Sequence, residues 1–422
     1  MKPAILSLLA LLTASLSSSC GGKNRHTGAN GGAGGDDAGT AGLANGGASG
    51  NGIGGNAGDP DAGDPDAGVA EFTLPDLPAD DHNLARHWVD LDAIKSLRRV
   101  AVRDGVAYLA GVPHGARIDL ATYRVRSLDP APDDSFSFED VVAPPGSSVV
   151  VAVLLRGQAE RLIRYSTDGG DSFRTATAPP ANTGGCGWAR TTWARAAQGP
   201  LRLFAMCGGP SLDMSEDDGA TWTRLIDHDG ESLSVPGFTS DASGKVLWFA
   251  SEAVLDIVTG NWLDLSGPLA SEWHTKIAYP DSNGVYSAAA DPHAPPAVYM
   301  GEEGRLGYFT MSGSGDLSVE TPWTADLAAG EPFTYVWAIW ADPAVPNHVV
   351  FGGGDRDVGA TLHESFARGS GATRIPIEGN PLQSTVLDVT PSLDNLHLIV
   401  FVGGGSDGTG HSGKPRLYVL AR

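Results

Sequence analysis

The chain has 422 residues and a formal net charge of −22 at pH 7, from 28 Lys and Arg against 50 Asp and Glu. A chain this acidic is not expected to bind nucleic acid or to be attracted directly to anionic lipid headgroups. The same charge favours solubility. After the N-terminal segment, no hydrophobic run is long enough for a membrane helix.

The N-terminus predicts an export signal. Lys2 supplies a positive end, and Ala4–Leu16 is an apolar stretch of signal-peptide length that is too short to span a bilayer. The serines before Cys20 resemble a bacterial lipobox, which implies lipidation of Cys20, although Leu16 stands one place earlier than the lipobox leucine. The alternative is a simple secretory peptide cut near Ser19. We therefore expect an exported lipoprotein at the outer membrane or cell surface, or else a secreted protein.

The next segment, residues 21–70, predicts a flexible linker. It is rich in Gly, Ala, Asn and Asp and cannot bury enough apolar surface to offset the entropy of ordering. The repeated DPDAG at 59–63 and 64–68 could in principle hold Ca²⁺, but a solvated linker is the interpretation we adopt. The predicted organisation is a lipoprotein-type signal peptide at 1–20, this linker, and a folded domain at 71–422.

The folded part contains short β-branched runs separated by Gly, Pro and Asp, which predicts an all-β domain. Its segment from Ala290 to Gly301 aligns without a gap with the segment from Ala341 to Gly352, 51 residues later. Each copy predicts a strand, a Pro-containing turn and a second strand. Looser copies of this hairpin lie at Val102–Ala110, Val142–Val153, Ala194–Ala205, Thr239–Ala250 and Val389–Val402.

These seven hairpins recur at an average step of about 48 residues, the size of a β-propeller blade. The predicted fold is therefore all-β, a single seven-bladed propeller, with six or eight blades as alternatives. The last repeat has strands near Leu396–Val402 and Arg416–Leu420 and is one or two strands short of a blade. We expect His87–Leu91 to complete it, because an open ring would leave edge strands unpaired.

A second motif follows two of the hairpins and has the pattern Ser-x-Asp-x-Gly-x-Ser/Thr-Phe/Trp. Its copies, 49 residues apart, are Ser166, Asp168, Gly170, Ser172 and Phe173, and Ser215, Asp217, Gly219, Thr221 and Trp222. The motif resembles the Asp box of the BNR or sialidase-like propellers, and the chain looks like a propeller of that type. The resemblance implies that the box is structural and lies between the third and fourth strands of a blade, remote from any active site.

Physical chemistry gives each residue of the box a local role. The carboxylate accepts backbone N–H bonds across a tight turn, Gly permits the required dihedral angles, and the aromatic residue packs between neighbouring sheets. Eroded copies are predicted at Asp256–Trp262, Ser312–Ser318 and Ala367–Arg374. The last of these keeps Gly371, Ala372 and Thr373 but not the Ser, Asp or Trp.

The strands of a propeller blade are labelled A to D. Propeller topology places the D–A and B–C loops on one face, here called the funnel face, and the A–B and C–D turns on the other. The aromatic and charged residues predicted on the funnel face are Trp188, Trp193, Trp273, His274, Tyr335, Trp337, Glu302, Glu303, Arg305, Asp355, Arg356, Asp357 and His411. Aromatic rings beside hydrogen-bonding groups suit carbohydrate rings or peptide segments. The alternative is that each Trp belongs to the core between blades.

The chain contains three cysteines. With Cys20 assigned to lipid, Cys186 and Cys207 remain, and both are predicted on the funnel-face side of one blade. A disulfide between them is expected in an exported protein, whereas two free buried thiols are the alternative.

The leading functional hypothesis is a non-catalytic recognition or scaffolding module on the cell envelope, which binds a glycan or a protein through the funnel face. We expect no nucleic acid, cofactor or metal, membrane contact only through the lipid, and a monomer. The sequence contains no P-loop, dinucleotide fingerprint, Cys/His zinc spacing or Ser-His-Asp nucleophile elbow.

The alternative is a glycoside hydrolase or lyase of the Asp-box class. Resemblance to sialidases implies a cluster of arginines that binds the substrate carboxylate. One of these arginines belongs to a Phe/Tyr-Arg-Ile-Pro motif. The similar string here, Thr373–Pro376, lies in the sixth repeat on a predicted outer strand. Other glycosidic chemistry needs two carboxylates. The candidates are Glu302, Glu303, Asp355 and Asp357, and acidic surface loops are the alternative reading of them.

Overall fold

A computed structural model describes residues 88–90, 94, 96–112, 115–122, 124–133, 135–157, 160–179, 189–197, 199–207, 211–227, 238–249, 253–258, 262–264, 286–312, 316–325, 335–355, 359–377, 384–392, 397–404 and 415–421. Every regular element in these ranges is a β-strand, and the strands form seven antiparallel sheets of four strands each. Each sheet is a blade. The predicted signal peptide and linker lie outside the described residues.

The first three blades follow one another along the chain. Blade 1 consists of β2 (Ser96–Arg103), β3 (Val106–Val112), β4 (Gly115–Asp119) and β5 (Val125–Leu128). Blade 2 consists of β6 (Ser137–Val142), β7 (Val150–Arg156), β8 (Glu160–Ser166) and β9 (Arg174–Thr175). Blade 3 consists of β10 (Ala189–Arg195), β11 (Leu201–Cys207), β12 (Ser211–Ser215) and β13 (Thr223–Asp227).

The remaining blades continue in the same order. Blade 4 consists of β14 (Phe238–Ser240), β15 (Val246–Phe249), β16 (Ala253–Asp256) and β17 (Trp262–Asp264). Blade 5 consists of β18 (Ser287–Ala290), β19 (Val298–Glu302), β20 (Arg305–Met311) and β21 (Leu317–Thr324). Blade 6 consists of β22 (Tyr335–Ala341), β23 (Val349–Asp355), β24 (Gly359–Ser365) and β25 (Thr373–Ile375). Blade 7 consists of β26 (Ser384–Pro391), β27 (His397–Gly404), β28 (Arg416–Ala421) and β1 (Trp88–Asp90).

The ring is closed by strands from both ends of the described chain. β1 pairs antiparallel with β28, with Val89 opposite Leu417. It is the fourth strand of blade 7, after three strands from the C-terminal end. The prediction that His87–Leu91 completes the last blade is therefore confirmed, and this pairing covers an edge strand that would otherwise be open.

The seven predicted hairpins are the A–B hairpins of the seven blades. Their turns separate β2 from β3, β6 from β7, β10 from β11, and so on around the ring. The blade count and the all-β class are confirmed. The internal repeat was visible because each turn needs the same Gly, Pro or Asp chemistry at the same place.

The core lies between neighbouring blades, and the B strands form much of it. In β7 every residue from Val150 to Leu155 is buried, because both faces of the blade contact a neighbouring blade. Val151 and Val153 pack with Leu203 and Trp222 of blade 3 in one buried cluster. Burying such a side chain fully contributes about 1.5–3 kcal/mol, so stacking of blades is the main stabilising contact.

The C–D turn of blade 6 corrects one sequence prediction. We predicted that this copy of the box had lost its serine, but Ser365 Oγ accepts the N–H of Gly369 at 3.0 Å. The same bond joins Gly219 N–H to Ser215 Oγ at 3.0 Å in blade 3. The true register therefore lies two residues earlier than the predicted one, with Ala367 in the Asp position. The turn contains two glycines with positive φ, Gly369 and Gly371. The sequence prediction used Gly371 as the glycine of the box, whereas Gly369 occupies that position.

Candidate functional site

The inner strands of all seven blades line a central channel. Its described part encloses a cavity of about 200 Å³, with walls from the A strands β2, β6, β10, β14, β18, β22 and β26. The wall residues come from sequence positions almost 300 residues apart, and only closure of the ring brings them together. This channel is the candidate functional site.

Four neighbouring A strands carry a β-bulge at the same level of the channel. The pairing with the B strand skips Arg98 in β2, Glu139 in β6, Trp337 in β22 and Leu387 in β26. A bulge inserts one extra residue and changes the direction in which the following side chains point. The residues that follow the four bulges, Arg99, Asp140, Ala338 and Asp388, all line the cavity.

The charged residues of the cavity wall come from four consecutive blades. Asp388 of blade 7, Arg99 of blade 1, Asp140 of blade 2 and Arg190 of blade 3 alternate in sign around the ring, and we call them the charged arc. The polar and aromatic residues that blades 4, 5 and 6 place on the wall are Phe238, Thr239, Ser287 and Trp337. The channel therefore has a charged side and an uncharged side.

Asp140 is held rigidly within the charged arc. The side chain is buried, with only 4% of the residue exposed. Its Oδ2 accepts hydrogen bonds from the backbone N–H of Thr191 at 2.5 Å and from the hydroxyl of Thr191 at 3.1 Å. These bonds cross from blade 2 to blade 3. Asp140 therefore both connects the two blades and fixes a carboxylate between two arginines.

Burial shifts the ionisation of the charged arc. Burial raises the pKa of Asp388 to about 7, although the N–H of Val389 and the charge of Arg99 oppose the rise. Burial also raises the pKa of Asp140. Burial lowers the pKa of Arg190 to about 9, and the nearby charge of Arg99 lowers it further. Near pH 7 Asp388 is therefore partly protonated while Arg190 keeps its charge, so the arc offers cationic donors in a strongly acidic protein.

Three aromatic rings lie at the funnel-face end of the A strands of blades 5 and 6. The ring centroid of Tyr286 lies 4.6 Å from that of Trp337 and 5.3 Å from that of Tyr335. The hydroxyl of Tyr286 donates to Glu303 Oε1 at 3.2 Å, and a β-bridge pairs Glu303 with Tyr335. These contacts connect the B–C loop of blade 5 to blade 6. Burial, reinforced by Glu303, raises the pKa of Tyr286, so this hydroxyl remains a donor at all physiological pH values.

Glu302 corrects a second sequence prediction. We predicted it as a ligand contact and as one candidate catalytic carboxylate, but it is fully buried. Arg305 Nε donates to its Oε2 at 2.7 Å, and a second nitrogen of the same guanidinium also contacts this oxygen. Burial raises the pKa of Glu302 to about 7 against the effect of Arg305. A buried carboxylate with this partner is structural and is not available to an external ligand.

The structure describes only some of the other residues that we predicted as ligand contacts. Trp337 lines the cavity, and Asp355 ends β23 on the funnel-face side, with its side chain outside the described residues. The predicted contacts that lie outside the described residues are Trp188, Trp273, His274, Arg356 and His411. Cys207 ends β11 and is buried. Its predicted partner Cys186 lies outside the described residues, and the disulfide stays a prediction.

Both intact copies of the Ser-x-Asp-x-Gly motif, here called the box, lie on C–D turns, on the face opposite the funnel face. In the first, Asp168 accepts the N–H of Ser172 at 3.0 Å and Ser166 Oγ accepts the N–H of Gly170 at 2.8 Å. In the second, Asp217 accepts the N–H of Thr221 at 2.8 Å. The indole N–H of Trp222 donates to the carbonyl of Gly219 at 2.9 Å. The hydrogen bonds are local, and none of these residues lines the cavity.

The described residues contain no group of three or more His, Cys, Asp or Glu side chains arranged to hold a metal ion. In the same part of the chain, no helix has the length and apolar character needed to cross a membrane.

The acidic residues of the cavity accept hydrogen bonds from backbone N–H groups. Asp140 accepts the N–H of Thr191, and Asp388 accepts the N–H of Val389.

Comparison with known proteins supports the fold. No family model and no curated protein matches the chain. A chain in the crystal structure of a mitotic checkpoint complex matches with a TM-score of 0.54 and 16% identity over 83% of this chain and 98% of that chain. YCF48 bound to D1 peptide matches with a TM-score of 0.52 and 12% identity over 83% and 98%. YCF48 from Cyanidioschyzon merolae matches with a TM-score of 0.50 and 13% identity over 78% and 98%. Likeness at these identities shows the fold alone: the chain is a seven-bladed β-propeller.

Proposed function

We propose that this chain is a non-catalytic recognition or scaffolding propeller that binds a segment of a partner protein at the funnel-face end of its channel. The observation that carries the proposal is the charged arc of Arg99, Asp140, Arg190 and Asp388 facing an aromatic wall around Trp337. Guanidinium groups bind carbonyl and carboxylate oxygens, and aromatic rings contact apolar side chains. A peptide segment presents both kinds of group.

The size of the cavity limits what can enter it. At about 200 Å³ it is smaller than typical pockets for whole small molecules, which measure about 300–1,000 Å³. One side chain or one chain end fits, while the rest of the ligand lies across the funnel face. A structural neighbour, YCF48, has been solved bound to a peptide, which is consistent with this use of the fold. A glycan is the second ligand class to be tested.

A photo-reactive amino acid in place of Trp337 tests the site in the full-length protein. We expect it to crosslink a protein from the cell envelope, and Arg190→Gln to lower the yield about tenfold through loss of charged hydrogen bonds. Arg202→Gln is the matched control, because Arg202 pairs with Glu216 outside the channel. Equal yields from Arg190→Gln and Arg202→Gln would reject the channel as the site.

Two further readouts separate the alternatives. Binding on a glycan array that is lost in Arg190→Gln, without any protein crosslink, would assign a glycan ligand. Turnover of a chromogenic glycoside panel that is lost in the same variant would instead favour an Asp-box-class hydrolase. A protein crosslink without turnover supports the proposal.

We further propose that the propeller is of the BNR type and is held on the cell envelope by lipid on Cys20 through the linker at 21–70. Mass spectrometry of the mature N-terminus tests the anchor, since a diacylated Cys20 is expected and an unmodified residue downstream would reject it. A peptide map under non-reducing conditions tests the pairing of Cys186 with Cys207.

A further inference from the structure

On the face opposite the funnel face, blade 6 holds a buried histidine between two carboxylates. His348, in the A–B turn, is only 1% exposed. Its Nδ1 lies 2.7 Å from Asp342 Oδ2 in the same turn, and its Nε2 lies 2.8 Å from Glu364 Oε1 on β24. The histidine therefore connects the A–B turn of the blade to the strand that leads into its C–D turn.

The protonation state of His348 decides whether both contacts are hydrogen bonds. Only the imidazolium form carries a proton on each ring nitrogen, so only that form donates to both carboxylates. The neutral ring would place a nitrogen lone pair against one of the two oxygens. Asp342 also accepts the N–H of Ala344 at 2.8 Å and remains a well-satisfied acceptor. The side chain of Glu364 is 21% exposed, so water can hydrogen-bond to this carboxylate in place of His348.

The same histidine supports an exposed aromatic ring. Phe366, the first residue after β24, is 66% exposed and stacks on the imidazole of His348 with ring centroids 4.2 Å apart and an interplanar angle of 4°. Trp340 contacts the imidazole edge-on at 5.6 Å. The C–D turn is also held to the A–B turn by the N–H of Arg368, which donates to the carbonyl of Asn347 at 2.7 Å. The guanidinium of Arg368 also donates to Asn347 Oδ1, at 3.1 and 3.2 Å. Loss of the Glu364 bond therefore weakens one of several connections between these turns.

Among the described residues, further charged or titratable side chains close to the cluster are those of Arg368 and His293. Arg368 of the C–D turn lies over the ring of Tyr308, with its nearest carboxylate oxygen on Glu320 at 3.9 Å. His293 of blade 5 places its Nε2 2.8 Å from the backbone carbonyl of Asp342. These groups contact the backbone or the rim of the cluster, whereas the two carboxylates contact the imidazole directly.

Blade 5 provides an internal comparison. Asp291 stands 51 residues before Asp342 in the aligned repeat, and its Oδ2 accepts the hydroxyl of Tyr308 at 2.7 Å. Burial and this hydrogen bond raise the pKa of Tyr308, so its hydroxyl does not ionise near neutral pH. The equivalent oxygen of Asp342 faces His348, a residue type that can carry or lose a charge, instead of a tyrosine hydroxyl. Of these two aligned turns, that of blade 6 therefore places an imidazole against the aspartate.

We propose that Asp342, His348 and Glu364 form a proton-operated latch. The protonated latch holds the C–D turn of blade 6, with the exposed Phe366, against the A–B turn. Deprotonation of His348 releases Glu364 and loosens that turn. The stabilisation is fully present at pH values below the ordinary imidazole pKa of about 6.5 and is lost as the pH rises through the titration of His348 in the folded protein.

Hydrogen exchange of the full-length protein between pH 6 and pH 8.5 tests the latch. After correction for intrinsic exchange, we expect protection of residues 366–371 to fall about tenfold as pH rises, as for loss of one charged hydrogen bond. The Asp-box turn at 217–221 is the internal control and should keep its protection. No fall at 366–371 in the wild type overturns the proposal.

The variant Glu364→Gln sharpens the test. Its amide can accept from a charged imidazole and donate to a neutral one, so protection of residues 366–371 should become independent of pH. The same pH dependence in Glu364→Gln as in the wild type overturns the proposal. Nitrogen-detected NMR of the wild type supplies a test without substitution: both ring nitrogens of His348 should carry protons at pH 6, and a single-proton tautomer at that pH overturns the latch.

Discussion

The C–D turns of blades 3 and 6 share one framework and stabilise it in different ways. In both, a buried serine hydroxyl accepts the N–H of a glycine four residues later, Ser215 with Gly219 and Ser365 with Gly369. Blade 3 adds Asp217, which accepts the N–H and the hydroxyl of Thr221 at 2.8 and 2.6 Å. Blade 6 has alanine at that position.

Blade 6 holds its turn by contacts with the A–B turn of the same blade instead. Arg368 donates to the carbonyl of Asn347, and the latch joins His348 to Glu364. Serine and glycine therefore form the turn itself, while the carboxylate of the box is one of several ways to stabilise it.

The largest effect is expected at the glycine of the framework. Gly219 has a φ of +91°, and a Cβ there would lie 2.8 Å from Val151 Cγ2 and 3.1 Å from Tyr165 Cβ of blade 2. Gly219→Ala should therefore lower the free energy of unfolding by about 3 kcal/mol, from backbone strain and overpacking. Urea titration measures it. The matched control is Gly371→Ala in blade 6, which meets no atom within 4 Å and should cost only about 1 kcal/mol.

The serine should matter equally in both turns. Ser215→Ala and Ser365→Ala each leave a buried glycine N–H without its acceptor, so each should lower the free energy of unfolding by about 2 kcal/mol. Parallel urea titrations give the two values. If Ser365→Ala cost nothing while Ser215→Ala cost the full amount, the shared framework would be wrong.

The box carboxylate should have a smaller effect. Asp217→Ala removes bonds from Thr221 and Ser215, but the side chain is exposed, and we expect a loss of about 1.5 kcal/mol. Ligand binding in the channel should be unchanged, because the box lies on the opposite face. A stable Asp217→Ala variant with altered binding would show that the faces are assigned incorrectly.

Acid should reduce the contribution of both box carboxylates. Hydrogen bonds from the hydroxyls of Ser166 and Ser172 lower the pKa of Asp168. Burial alone would raise the pKa of Asp217, but hydrogen bonds from Thr221 and Ser215 lower it overall. A carboxylate whose pKa is lowered in the folded protein stabilises the fold at pH values above the ordinary Asp pKa of about 3.9. This stabilisation is lost progressively as the pH falls below that value towards the lowered pKa. The stability difference between the wild type and an Asp168→Asn, Asp217→Asn double variant should therefore shrink between pH 6 and pH 3.

The sequence predicted the turns well because their chemistry is local. The Pro and Asp residues of the A–B turns, and the Ser, Asp and Gly of the boxes, act within a few residues of one another, so their spacing is visible along the chain. The same logic missed Ser365, because Gly371 was aligned with the box glycine and blade 6 lacks the Asp and Trp that fix the register in blade 3. Closure by β1 was predictable because a strand was missing from the last repeat.

The channel wall could not be predicted in this way. Arg99, Asp140, Arg190 and Asp388 lie in four separate strands, with no motif around them. Their meeting depends on ring closure and on β-bulges, which are set by strand pairing and leave no clear sequence signal. Likewise, nothing in the sequence indicates that Glu302 is buried and bonded to Arg305 across a tight turn.

The smallest effect is expected when the missing carboxylate is restored to blade 6. Ala367→Asp places an acid in the Asp position of the box, but Gly371 occupies the place of Thr221 and offers no hydroxyl. Gly371 also has a φ of +59°, so its N–H is not expected to face that carboxylate as the N–H of Thr221 does. We expect a gain of no more than about 0.5 kcal/mol, measured by urea titration. A gain near 1.5 kcal/mol would mean that the carboxylate acts without its threonine partner, and that the latch and Arg368 do not already provide the stabilisation that the box supplies in blade 3.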